Sequence, residues 1–186
     1  MQPTILEGDR IFVNKLAYDL KFPFTTIHLA EWGDPKRGEI VVLWSPHDGR
    51  RLVKRVVGIP GDTIETRGSR LFVNGAAATY APLRAEDLRL AGYTGDEALF
   101  QRETVEGAAH PVMSARGGWN EDFHAVVVPE GHYFLMGDHR DNSFDSRYWG
   151  FAERRSILGR ATAVVVSVDL EHRYRPRWQR FFTVLP

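Results

Sequence analysis

Apolar positions along this chain gather in short runs rather than in helical stripes. Residues 10–14, 39–44, 52–59, 132–136 and 161–168 are rich in Val, Ile, Leu and aromatic side chains, and turn-forming residues bound them. Runs of that length and composition predict strands. Residues 70–75 read as half of a hairpin closed by Asn74-Gly75, a pair that accepts the positive φ of a tight turn. The core regions carry no long amphipathic helix, and residues 85–91 and 177–182 are the candidate short helices. From 68 to 123 the pattern changes to mixed charge, alanine and glycine with few strand signals. That stretch reads as a subdomain inserted into a β core.

Composition narrows the picture. A chain of 186 residues is long enough for one medium domain or a core with an insertion. Its 17 Gly and 10 Pro suit a turn-rich β protein. Lys plus Arg equals 24 and Asp plus Glu equals 24, so no net charge argues for a nucleic-acid partner. The absence of cysteine excludes disulfides and thiolate metal sites without fixing a compartment. No apolar run is long enough to cross a bilayer, and no signal peptide is expected within these residues.

Three blocks carry candidate chemistry. The densest is Gly137-Asp138-His139-Arg140-Asp141-Asn142-Ser143-Phe144-Asp145-Ser146-Arg147-Tyr148-Trp149-Gly150, directly after the strand at 132–136. So many polar groups after a strand must satisfy one another or remain solvated. Lys54 lies in the apolar run Arg51-Leu52-Val53-Lys54-Arg55-Val56-Val57-Gly58-Ile59-Pro60-Gly61-Asp62. Strand alternation leaves it either a solvated outward residue or an inward one whose pKa desolvation lowers. The third block, Met1 to Lys15, leads through Pro-Thr and Gly-Asp turns into a strand.

These blocks, in this order, resemble type I signal peptidases, membrane-bound Ser/Lys proteases that remove signal peptides. The likeness runs through Met1 to Asp9, with Ile5 at a position where the family has leucine, and through Lys54 to Asp62. It continues in residues 137–150, where His139 stands in place of asparagine, and in Leu158-Gly159-Arg160-Ala161. It covers about the first sixty-five and last sixty residues; the middle is not diagnostic.

The resemblance implies a mostly β fold. Its antiparallel catalytic core would comprise residues 1–67 and 124–186, with 68–123 as a smaller inserted β subdomain. It implies Lys54 as general base and Ser143 within hydrogen-bond reach of it; the alternative is that Ser143 only caps a turn. Asp145 and Arg147 would pair beside them, on one side if the loop is extended there, in a catalytic or purely structural role. Asp138, Arg140, Asp141 and Asn142 read as turn scaffolding. Met1, Ile5, Ile11, Leu52 and Val53 would wall a pocket for small side chains, or serve as ordinary core. No cofactor is implied. A metal cluster of Asp138, His139, Asp141 and Asp145 is disfavoured by the competing arginines.

The family's nucleophilic serine directly precedes the methionine that is Met1 here, and its membrane anchor lies further upstream. Partners would be secretory preproteins bearing signal peptides, at the outer face of the bacterial inner membrane, with the chain held there by that upstream anchor. The polypeptide from Met1 onward is expected to be inactive, and the alternative is a relic that binds such peptides without cleaving them. A self-cleaving repressor-type Ser/Lys protein is disfavoured because no helical DNA-binding segment precedes Lys54. Phe22, Phe24 and Trp32 fit either a lipid interface or ordinary packing, and the sequence alone favours packing.

Overall fold

The computed structural model describes residues 1–22, 28–84, 98–118, 122–170 and 172–186. Its largest sheet is antiparallel and eight-stranded. The strands run Asp9–Asn14, Ile157–Asp169, Ile40–Trp44, Arg51–Gly58, His132–Met136 and Ala152–Glu153 across the sheet. Arg175–Pro176 and Thr183–Val184 also pair with the long Ile157–Asp169 strand. Period-two alternation sorts the side chains. Val41 and Leu43 join Val56 and Leu135 in one apolar cluster. Ile40 and Val42 join Ala161 and Val164 in another. Register slips between Ile157 and Gly159. Gly159 is required at that irregularity, because a Cβ there would fall 2.5 Å from the Asn14 carbonyl oxygen.

The Pro60-Gly61-Asp62 turn feeds a second sheet. Its strands are Phe123–Val127, Thr63–Arg67, Arg70–Val73 and Ala76–Ala77, in that order across the sheet. These pairings cross both positions 68 and 123. Asn74 and Gly75 take φ of 53° and 80° between the paired Val73 and Ala76, as an Asn-Gly hairpin turn should. A third sheet contains Thr79–Pro82, Ala98–Val105 and Ala108–Ala115. Its two eight-residue strands lie in the stretch that offered few strand signals, because buried Glu103 and His110 replace apolar residues in their alternation.

One apolar cluster joins the parts: Val57, Phe134 and Met136 of the main sheet meet Ile64, Leu71, Val73 and Val105. The fold is thus mostly β and antiparallel, as expected. The expected helix at 177–182 is a single 3₁₀ turn, Trp178–Arg180. The expected helix at 85–91 lies outside the described residues. Phe22 and Trp32 are 55% and 56% exposed, which excludes a core position for both, while Trp32 Nε1 donates to the Leu16 carbonyl at 3.1 Å in the loop. Phe24 lies outside the described residues.

Candidate active site

The site forms where the Arg51–Gly58 strand meets the loop leaving His132–Met136. Lys54 is paired across the sheet with Val41 and is only 8% exposed, so the solvated reading fails. Its Nζ donates to Ser143 Oγ at 2.7 Å. Burial lowers the Lys54 pKa below that of a free lysine. Asp145 and Asp138 pull it up and Arg147 pushes it down, but desolvation prevails. The Met1 amino end lies in the same electrostatic neighbourhood. Burial lowers its pKa, Asp138 opposes that, and the Lys54 charge adds to the lowering.

The loop is held from within. Asp145 caps the short helix Ser146–Trp149, accepting from the Arg147 backbone N–H at 3.2 Å. It also accepts from the Gly137 N–H at 2.9 Å and from the Arg147 guanidinium at 2.8 and 2.9 Å. Asp145 and Arg147 therefore pair around a helix start, not along one side of an extended loop. Burial would raise the Asp145 pKa, but the Arg147 hydrogen bond and charge, with the Gly137 N–H and Ser143, hold it below the usual carboxylate range. Ser146 Oγ accepts from the Leu135 N–H at 2.9 Å, tying the helix start back to the strand.

Asp138 and Arg140 hold the loop through distant partners, not through bonds within the turn. Asp138 is fully buried and takes both Arg55 Nε and Nη2 at 2.8 Å. It also accepts the Thr4 hydroxyl. Burial opposes ionisation of Asp138, yet Arg55 keeps its pKa low. Arg140 donates to Glu103 at 2.7 and 2.6 Å, and both side chains are buried. Tyr80 donates to the same Glu103 carboxylate at 2.6 Å. His110 Nε2 lies 3.2 Å from Glu103 Oε1 without a well-aligned hydrogen bond.

Sequence reasoning missed Thr4, Arg55, Glu103 and Gly137 as parts of this arrangement. Arg55 carried the one available signal, a charge inside an apolar strand beside Lys54. Glu103 carried none, since its partner is 37 residues away. Among the described residues no group of three or more His, Asp or Glu side chains is arranged to hold a metal.

Of the expected pocket residues, Met1, Ile5, Ile11 and Val53 converge on the cluster around Ile40 and Val42. Leu52, one position along, packs instead with Val41, Leu43 and Tyr18. A cavity of about 360 Å³ opens behind Thr4, between His110 and Leu185. Neither Lys54 nor Ser143 lines it, so it is separate from that pair.

A buried lysine hydrogen-bonded to a serine is thus set into an antiparallel β scaffold. A family model described as signal peptidase, peptidase S26, matches residues 1–166, and the chain belongs to that family. Signal peptidase I of Pseudomonas aeruginosa is 38% identical over 180 residues, which cover 90% of this chain and 62% of that protein. The Pseudomonas fluorescens signal peptidase I is 39% identical over 186 residues, with the same 90% and 62% coverage. The chain therefore spans about three-fifths of the length of these relatives. A solved signal peptidase I from Enterococcus faecalis is 33% identical with a TM-score of 0.43, covering 68% of this chain and 96% of that one.

Proposed function

We propose that this chain is the catalytic part of a signal peptidase I. It would cut secretory preproteins after small-x-small sites such as Ala-x-Ala, with Lys54 as general base for a serine directly before Met1. The observation that carries the reading is the buried Lys54 Nζ, 2.7 Å from Ser143 Oγ, in a chain that belongs to this family.

In this mechanism neutral Lys54 takes the serine hydroxyl proton as the serine oxygen attacks the scissile carbonyl. The protonated Lys54 then gives that proton to the leaving amine, and an acyl-enzyme remains. Water, deprotonated by the same amine, releases the signal peptide and restores the serine. Ser143 orients the lysine, and the Asp145–Arg147 pair fixes Ser143. Met1, Ile5, Ile11 and Val53 limit the pocket to small side chains, with Leu52 flanking Lys54. The signal peptide binds extended, as an added strand.

Residues 1–67 and 124–186 form the catalytic core in this reading, and 68–123 the inserted subdomain. The site of action is the outer face of the bacterial inner membrane. Exposed Leu20, Phe22, Leu29 and Trp32, on and beside the hairpin of Asp19–Lys21 and His28–Glu31, suit a lipid interface there. Among the described residues no helix is long and apolar enough to cross a membrane.

The test compares three purified chains of verified intact mass on an Ala-x-Ala peptide. They are the polypeptide starting at Met1, the same with a serine placed directly before Met1, and that serine form with Lys54→Ala. Turnover only by the serine form supports the proposal. Turnover by the polypeptide starting at Met1, or survival of activity in Lys54→Ala, overturns it. Binding by all three without turnover favours a peptide-binding module.

A further inference from the structure

The Ala98–Val105 and Ala108–Ala115 hairpin reaches the loop that carries Ser143. Met113 N donates to the Asp138 carbonyl at 2.9 Å, and Arg140 N donates to the Met113 carbonyl at 2.9 Å. Together these bonds make a parallel bridge between Met113 and His139. Ala115 N donates to Asp141 Oδ2 at 2.5 Å. Beneath this backbone seam, Glu103 holds the Arg140 guanidinium at two points, 2.7 and 2.6 Å. Asp138 is therefore gripped twice, by the hairpin through its backbone and by Arg55 through its side chain. Gly137, the next residue back, packs against Ser143 and Lys54.

We propose that Glu103 is a positioning residue for Lys54, acting through Arg140 to fix residues 137–143 over the buried amine. This inference rests on the peptidase reading for its consequence in catalysis, though not for its geometry. Without the Glu103 charge, the buried Arg140 guanidinium has lost its counter-ion. Asp138 still acts on that guanidinium, but the two-point grip of the Glu103 carboxylate is gone, and the backbone at 139–141 loses that anchor. Gly137, at the head of the same loop, packs against Ser143 and Lys54, so a shift that reaches it would open the amine to water.

The titration of Lys54 separates positioning from plain stabilisation. Lys54 faces Asp145 and Arg147 on the loop, Asp138 at its start and the Met1 amino group on the N-terminal segment. Glu103→Gln alters none of these. Loss of a negative charge can by itself only lower the pKa of an amine. A rise toward the free-lysine value therefore reports water reaching Nζ.

The experiment follows the Lys54 side chain by NMR across pH in the chain starting at Met1. It also measures kcat and KM in the form carrying serine before Met1. For Glu103→Gln the Lys54 midpoint is expected to rise. A loosened site should lower kcat roughly tenfold or more, with KM changed by less than about twofold. Asp141→Ala, at an exposed position, should move both readouts the same way by less. An unchanged or lowered midpoint in folded Glu103→Gln overturns the proposal. Should that variant fail to fold, an unchanged midpoint in Asp141→Ala does so. Absence of turnover in the parent serine form sinks the peptidase reading alone, because the titration needs no activity.

Discussion

A methyl group on Gly137 would stand 2.2 Å from Ser143 Oγ and 3.6 Å from Lys54 Nζ. The constraint is one of space, because the glycine is the floor on which the lysine and serine meet. Gly137→Ala should therefore push Ser143 away and lengthen its 2.7 Å bond to Lys54. Overpacking of this kind costs about 1–3 kcal/mol. Thermal unfolding of the variant should show that loss, and cleavage by the serine-bearing form should fall with it. Wild-type activity in Gly137→Ala would mean that the Lys54–Ser143 contact is dispensable.

Lys54 sets an expected pH dependence. Its folded pKa lies below the ordinary lysine value because burial disfavours the ammonium form. The unfolded chain thus binds more protons than the folded one between the lowered pKa and the ordinary value, and stability contributed by this group rises with pH across that window. Activity should rise through the lowered pKa as the free amine appears. Denaturant unfolding at stepped pH should show this slope, and Lys54→Met should remove it. A slope that persists in Lys54→Met belongs to another group.

The Arg55–Asp138 pair is an acid-labile brace. Both side chains are about 1% exposed, and the Asp138 pKa is held below the usual carboxylate range. Its stabilising contribution is complete above the ordinary aspartate value and is lost as pH falls through the depressed one. Asp138→Asn leaves Arg55 buried without its counter-charge, at a cost of about 3–5 kcal/mol. Replacing both partners by apolar residues of similar size should recover much of that. Chemical denaturation of the single and double variants measures both expectations, and equal losses in the two would argue against a stranded charge.

What could be read from the sequence divides along a physical line. The strand at 132–136 lies where its Tyr-Phe-Leu-Met run predicts, and the Asn74-Gly75 turn has the positive φ that its residues accept. Both are local signals. Lys54 could be singled out because a charge inside an apolar strand is conspicuous, but only the fold decides which way it points. Arg140 was illegible in principle. In a loop dense with charge it reads as solvated, and nothing nearby announces Glu103 in the distant hairpin. The long strands around Glu103 and His110 escaped for the same reason, since a buried ion pair erases the apolar alternation that marks a strand. Asp145 had the right composition for a cap, yet a helix of four residues is too short to leave a periodic trace.

The Asp145–Arg147 pair allows a test in which a structural role and an electrostatic one differ in sign. Either substitution breaks the same ion pair, at 2.8 Å, and loosens the same helix start. If the pair served only to hold the loop, both changes would move Lys54 in one direction, toward the free-lysine pKa. Their charges act oppositely on Lys54, however: Asp145 raises its pKa and Arg147 lowers it. Asp145→Asn keeps an oxygen to cap the helix while losing the charge, so it should lower the Lys54 midpoint further. Arg147→Met keeps the apolar stem and loses the cation, so it should raise the midpoint. An NMR titration of Lys54 in the two variants reads the signs directly. Opposite shifts make the pair part of the apparatus that sets the base. Shifts of the same sign reduce it to a clamp on Ser143, and the charge of Asp145 would then matter only through the helix that it caps.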